Sequence, residues 1–346
     1  MTGPAPTAAA GTDLSGTLAA AAAPLLAERQ VPGLAAGLAR GEQQELLLAG
    51  WAASGRLVGP GTRFALGSLT KTFTALLLAA MAERGEVGYQ DSIARHLPAG
   101  AAPQSTVTLL ELATHTGGLP KLPPNLFRRG ARQWLSNPYR RYRPQDLYHA
   151  TARLHPARRG QVRYSTYGVG LLGRLLANAA RTDYPTLLTE RVLRPLGMRD
   201  STVAGPHELL PGAATGYHHG RAAEHWTFDA LAGAGALYTS GPDLMRYLEA
   251  QLHPERIPEL TAALTAAQLP RTRGEHGGNR MALGWNLKEV DGRALLWHTG
   301  GTRGFTAYVG FSPEAGAGAL ILANTGPTLP QPVVRAGRRL FRAVLP

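Results

Sequence analysis

Apolar positions run through the chain in different rhythms, and each rhythm predicts a different kind of element. Asp13 to Arg29 is an Ala- and Leu-rich run that stops before Val31-Pro32-Gly33, which predicts a helix. Two short apolar segments follow, Gly33–Arg40 and Glu45–Ala52, joined at Gly41-Glu42 in a hairpin pattern. After Gly59-Pro60-Gly61, the stretch Arg63 to Gly67 reads as a short strand and turn. It leads into an apolar helix from Ser68 to about Arg84, carrying Leu76, Leu77, Leu78 and Met81.

From about residue 86 to 205 the pattern changes to helices broken by Pro- and Gly-rich loops. Thr108 and Glu111 have capping-box spacing at the start of a helix that ends near Thr114-His115-Thr116-Gly117-Gly118. Further helices are predicted over Tyr167–Ala180 and Pro185–Val192, and Leu122–Tyr142 reads as a surface loop with short helices. The last third alternates strands with tight turns: Leu283–Val290, Ala294–Trp297, Thr306–Phe311 and Gly318–Asn324, with His298 to Gly304 as one of the turns. Connections this short predict antiparallel neighbours. A closing amphipathic helix puts Val333, Val334, Gly337, Leu340, Phe341 and Val344 on one face and Arg335, Arg338, Arg339 and Arg342 on the other.

The predicted class is α+β: an antiparallel sheet built from both chain ends, flanked by the N- and C-terminal helices, with an inserted all-helical lobe. The divisions are 1–12 as a flexible tail, 13–85 plus 206–346 as the α/β lobe, and 86–205 as the helical lobe. The insertion is placed between the second and third strands of the sheet. A cleft between two such lobes is a natural substrate site.

At 346 residues, with 44% hydrophobic and 17% charged residues, the chain has ample material for a core and is not of disordered composition. With zero cysteines it has no disulfide, no thiolate metal site and no cysteine nucleophile. The net charge is +13. Ten arginines stand between Arg128 and Arg163 against the single acid Asp146, and this basic stretch leads directly into Tyr164. No zinc-finger, homeodomain or RNA-recognition signature accompanies them, so no nucleic-acid partner is expected. The stretch is read as a solvated surface, or as a cleft rim that favours anionic substrates. No apolar run reaches membrane-spanning length, and the first apolar run follows Asp13 instead of a basic segment. No membrane partner is expected, and the expected compartment is the cytoplasm.

Candidate chemistry starts at Ser68-Leu69-Thr70-Lys71. A spacing of three puts the hydroxyl and the amine on one helical face. A serine hydroxyl needs a base to become a nucleophile, and a neutral amine can take its proton. Burial and the positive end of a helix both disfavour ammonium. The same spacing arises often by chance, as an N-cap serine with a solvated lysine one turn on. Composition argues against that here. Of 36 basic residues only Lys71, Lys121 and Lys288 are lysines, leaving 33 arginines. Arginine cannot give up its proton in a protein, whereas a buried lysine can.

Tyr164, beside Arg163 and ahead of Ser165-Thr166-Tyr167-Gly168, would ordinarily be a packing residue at a turn. Next to a Ser–Lys pair, a phenol with lowered pKa can relay the proton to a leaving group. His298-Thr299-Gly300-Gly301 follows a strand, where glycines let a substrate approach closely and expose N–H groups. One of these N–H groups, with that of Ser68, can hold an oxyanion. His218, His219 and His225 form the only histidine cluster, and no metal-ligand spacing accompanies them. There is no phosphate-binding glycine loop and no Gly-x-Ser-x-Gly elbow, so no cofactor and no metal are expected.

Taken in order, these segments resemble the serine β-lactamase and penicillin-binding-protein superfamily, in its class C β-lactamase-like branch. The resemblance runs from Val31-Pro32-Gly33 to Ala323-Asn324. It rests on Gly67-Ser68-Leu69-Thr70-Lys71, on Leu112 to Pro120 with its His115-Thr116-Gly117-Gly118, and on Tyr164 to Gly168. Pro195-Leu196-Gly197-Met198, Ala232-Gly233-Ala234-Gly235 and His298-Thr299-Gly300-Gly301 complete it. Each is short enough to arise by chance; their order together carries the resemblance. It implies Ser68 as nucleophile, Lys71 as its base partner, Tyr164 as second acid/base, and the N–H groups of Ser68 and Gly301 as the oxyanion hole. Thr166, His298, Thr299 and Gly300 would contact substrate. Two departures stand out: Thr166 replaces the usual asparagine, and His298 the lysine that in true class C β-lactamases helps hold the substrate carboxylate.

The expected function is a cofactor-free serine hydrolase that forms an acyl-enzyme on a small ester, amide or peptide, esterase- or peptidase-like, with weak β-lactamase activity at most. The alternatives are a class C-type β-lactamase or D-alanyl-D-alanine carboxypeptidase, an acyltransferase or peptide cyclase, and a penicillin-binding sensor that does not turn over.

Overall fold

In the computed structural model, which describes residues 13–27, 31–103, 106–131, 136–205, 210–272 and 280–346, the centre is an eight-stranded antiparallel sheet. Three strands come from the N-terminal part: β1 (Gly33–Arg40), β2 (Gln43–Ala53) and β3 (Arg56–Leu57). Between them and the rest of the sheet lie β4 (Phe64–Ala65), β5 (Thr202–Val203), β6 (Gly216–His218), β7 (Arg221–Ala223) and β8 (Leu237–Thr239). The remaining sheet strands are β9 (Arg280–Met281), β10 (Asn286–Val290), β11 (Arg293–Gly301), β12 (Thr306–Ser312) and β13 (Ala317–Ala323). The order across the sheet is β3-β2-β1-β13-β12-β11-β10-β9. The two chain ends therefore meet at β1 and β13, with Leu34 opposite Ala323 and Arg40 opposite Ala317.

Period-two alternation in β1 explains its two buried faces. Leu34, Ala36 and Leu38 pack with Ile321 and Ala319 of β13 against two helices, α1 (Leu14–Ala27) and the C-terminal α10 (Pro332–Val344). Ala35 and Ala39 turn to the other face and join the main core. The predicted faces of the last helix are as observed: Val333, Val334, Gly337, Leu340, Phe341 and Val344 are buried, and its four arginines are exposed.

The main core is organised around α2 (Thr70–Glu83), in which every residue from Thr70 to Met81 is buried. Such a helix is apolar on all sides because it is covered on all sides. Behind it lie the short α3 (Leu109–Ala113), α4 (Leu126–Gly130), α5 (Pro144–Ala152), α6 (Thr166–Ala180) and α7 (Tyr184–Leu188), then α8 (Gly241–Leu252) and α9 (Thr261–Gln268). The Thr108–Glu111 capping box is present at the start of α3. One contiguous core runs from Ala35 of β1 through Leu126 and Leu171 to Leu322 of β13.

Several expectations need correction. The inserted segment follows the third strand of the sheet, because Arg56–Leu57 pairs with β2. Its last piece is not helical: β5 pairs with β8, which also pairs with β4. The predicted strand Leu283–Val290 starts only at Asn286, since Gly284 turns the chain with φ of 72°. Most importantly, His298 to Gly301 is not a turn; β11 continues through it, paired to β12 as far as Gly301 opposite Thr306. Glycines hid this extension, since they are depleted from strands. The proposed tail 1–12 and the end of the first predicted helix lie outside the described residues. Among the described residues, no helix is long and apolar enough to cross a membrane.

Candidate active site

Ser68 is placed by strand pairing before it and a buried helix after it. The chain leaves β4, which lies beside β8 with Phe64 opposite Thr239 and Ala65 opposite Tyr238. It makes one tight helical turn, Gly67–Leu69, and enters α2. The same pairing fixes the segment just before β8, which includes Ala234. The Lys71 amine, fully buried, is thereby enclosed by acceptors: Nζ donates to Ser68 Oγ at 2.9 Å and to the Ala234 carbonyl at 2.7 Å. Burying an ammonium or amine without partners is costly, so these two acceptors are what makes the position tenable.

The opposite wall is the end of β11. Strand β10 accompanies β11 only to Asn286 opposite Trp297, so residues 298–301 keep one unpaired edge. That edge lies against the Ser68 turn. A Cβ on Gly67, whose φ is +50°, would sit within 2.5–2.8 Å of the Gly301 backbone, and one on Gly300 would sit 1.8 Å from the Leu66 carbonyl oxygen. Only glycines allow this approach, and it brings the N–H groups of the Ser68 turn and of β11 to one place.

Tyr164 stands across from Lys71, with Nζ 5.1 Å from its ring centroid. Burial raises the phenol's pKa, but the Lys71 charge and hydrogen bonds with Lys71, Ser68 and Thr166 outweigh it, leaving the phenol below the ordinary tyrosine value. His298 is buried, and its Nδ1–H donates to the Thr299 carbonyl at 2.7 Å. Burial and the nearby Lys71 charge hold its pKa down to about 3, so the imidazole is neutral. His115, also buried, is held to about 3 by burial, Lys71 and His298.

Ser68, Tyr164, His298, Thr299, Gly300 and Gly301 line a single cavity of about 270 Å³. The other lining residues are Asn286, Thr306, Thr325–Thr328 and the start of α10, Gln331–Val334. No Asp, Glu, Lys or Arg is among them. Lys71 lies beneath the cavity floor. Thr166 is not in the lining; its hydroxyl serves Tyr164 instead. None of the described arginines of the 128–163 stretch lines the cavity either, and two of them are paired elsewhere, Arg140 with Glu224 and Arg159 with Glu111. The stretch is therefore not the wall of this cavity. His218 and His219 meet edge to face, His225 packs on Tyr238 and Phe305, and among the described residues no group of side chains is arranged to hold a metal ion.

Three features escaped the sequence reading. The Ala234 carbonyl is a backbone group and leaves no signature of its own. The far end of the cavity comes from Thr325 to Val334, whose residue types signal only a turn and a helix start. His115 was visible only as part of a motif, with no role attached.

Several known proteins are similar to this chain. It is 28% identical over 279 residues to the D-alanyl-D-alanine-carboxypeptidase/endopeptidase AmpH of Escherichia coli, covering 76% of this chain and 71% of that protein. It is 26% identical over 351 residues to a beta-lactamase of Pseudomonas fluorescens, covering 90% and 94% of the two chains. With a beta-lactamase of Escherichia coli the identity is 28% over 338 residues, covering 87% and 86%. The family model described as Beta-lactamase matches residues 18–343, and by that match this chain belongs to the beta-lactamase family.

Proposed function

We propose that the chain is a serine hydrolase that forms an acyl-enzyme at Ser68 on a small ester or amide, with no step that calls for a metal or cofactor. The observation that carries this reading is the 2.9 Å hydrogen bond between Lys71 Nζ and Ser68 Oγ at the foot of the cavity. Lys71 and Tyr164 act as a coupled pair holding one transferable proton. The pair removes the proton of Ser68 as Oγ bonds to the substrate carbonyl carbon. The carbonyl oxygen becomes an oxyanion between the N–H groups of Ser68 and Gly301. When the carbon–heteroatom bond breaks, Tyr164 delivers the proton to the leaving group. Water then attacks the acyl carbon and gives a proton to the pair; the carbon–Oγ bond breaks, the acid product leaves, and the pair returns that proton to Ser68 Oγ.

The uncharged cavity argues for substrates without a carboxylate anchor, which sets esters and neutral amides ahead of β-lactams. The names of the relatives keep a β-lactamase or D-alanyl-D-alanine carboxypeptidase reading in play as a second arm of the test.

The test is intact mass after a fluorophosphonate or fluorescent penicillin, followed by turnover of p-nitrophenyl esters and nitrocefin. One adduct at Ser68 is expected, and Ser68→Ala should lose both the adduct and the turnover. Lys71→Arg keeps a cation but cannot cycle a proton, so it should lose rate nearly as severely as Lys71→Ala, by roughly 100-fold or more. Near-normal ester turnover by Ser68→Ala would remove the serine mechanism altogether.

A further inference from the structure

Tyr164 lies on the loop just before α6; the residue is 41% exposed overall while its phenol end is enclosed at the site, so its aim depends on how the loop backbone is held. The backbone N–H groups of the residues on both sides of it lead to one residue. The Arg163 N–H donates to the His115 carbonyl at 2.8 Å, and the Ser165 N–H donates to His115 Nδ1 at 3.2 Å. The His115 ring also lies against the Tyr164 ring, with centroids 4.8 Å apart. His115 itself has φ of 61°, a left-handed conformation that a residue with a side chain keeps only when its surroundings enforce it.

We propose that His115 is a positioning residue that clamps Tyr164 from both flanks and from its ring face, so that the phenol stays aimed at Ser68 and Lys71. This rests on the proposed role of Tyr164 in proton transfer. The clamp needs a neutral ring with its lone pair on Nδ1, because a backbone N–H can be accepted only there; the ring proton is then on Nε2. Downstream, Ser165 Oγ donates to the Pro120 carbonyl at 2.6 Å and the Thr166 N–H to the Lys121 carbonyl at 2.9 Å. Those bonds anchor the start of α6. They leave the N–H groups of Arg163 and Ser165 to His115.

Two substitutions separate the parts of the clamp. His115→Asn places an amide oxygen where Nδ1 was, and asparagine tolerates positive φ. His115→Phe keeps a ring against Tyr164 but leaves the Ser165 N–H without an acceptor. A lost buried hydrogen bond predicts a fall in acylation rate at Ser68 of roughly 10- to 100-fold for His115→Phe, and less than roughly 3-fold for His115→Asn. KM should stay within about 3-fold in both, because His115 does not line the cavity. In a Tyr164→Phe background, His115→Phe should cost almost nothing further, since the two would act as a unit.

A second readout does not depend on activity. The ultraviolet titration of Tyr164, isolated among the 11 tyrosines by difference from Tyr164→Phe, should move upward in His115→Phe and stay in place in His115→Asn. Wild-type acylation rates and an unmoved Tyr164 titration in His115→Phe would overturn the proposal while leaving the serine mechanism intact. Absence of Ser68 labelling in the wild-type protein would instead overturn the proposed function, and the titration would still decide whether His115 places Tyr164.

Discussion

Among the described residues, Lys71 is the only lysine or arginine that is fully buried. The other two lysines, Lys121 and Lys288, are exposed, so scarcity alone does not single out Lys71; its spacing from Ser68 does. On the proposed function, His298 is the residue at which specificity is best tested. A neutral imidazole in a wall with no other charge offers an anionic substrate no fixed partner. Replacing it by lysine puts a cation into that wall, and hydrogen bonds to charged groups are the stronger ones. His298→Lys is therefore expected to raise the ratio of nitrocefin to neutral-ester turnover by about 10-fold or more. Adding Thr166→Asn should gain little, because Thr166 serves Tyr164 and not the cavity. A larger effect from the threonine than from the histidine would show that the substrate reaches past Tyr164 to α6.

At the scale of elements, the site is a contact between a turn and a strand edge. The Ser68 turn and the edge of β11 touch through Gly67, Gly300 and Gly301. Gly300→Ala would drive a methyl group into the Leu66 backbone, which cannot move without disturbing β4 and β8. Overpacking of this kind costs typically about 1–3 kcal/mol of stability. The accompanying shift of the proposed oxyanion donors should lower kcat by roughly 100-fold, since misplacements near 1 Å do so. Gly59→Ala, where nothing lies within 4 Å, is the control and should leave both quantities unchanged. Retained activity in Gly300→Ala would mean that β11 and the turn need not be in contact. Elements with a strong period were legible in the sequence: the β1–β2 hairpin, α2, α6 and α10 all lie within a few residues of expectation. The end of β11 was not, because its Thr-Gly-Gly composition is that of a turn. What makes it a strand is pairing to β12, a non-local interaction that no local pattern records.

For the molecule as a whole, two neutral histidines buried beside Lys71 tie the integrity of the site to pH. His115 and His298 are each held to about 3, against an ordinary value of 6.5. Above pH 6.5 both are neutral whether the chain is folded or not, so they make no difference there. As pH falls below that value, the unfolded chain takes up protons that the folded one refuses, and stability is lost. Each histidine should remove about 1.4 kcal/mol per pH unit while the pH lies between its two values. Asp91 and Asp183, whose carboxyls are held below the ordinary range, act in the same direction but only in stronger acid. Asp243 and Glu249 are raised by burial and act oppositely. Comparison with variants cancels these common contributions. His298→Asn keeps a donor for the Thr299 carbonyl, and His115→Asn keeps an acceptor for the Ser165 N–H, yet neither titrates. Urea unfolding at several pH values between about 4.5 and 6 should show the double variant losing stability less steeply than wild type, by roughly 2–3 kcal/mol per pH unit. Parallel slopes for the two proteins would mean that these histidines are charged in the folded state, and that neither the wall at His298 nor the clamp at His115 is built as described.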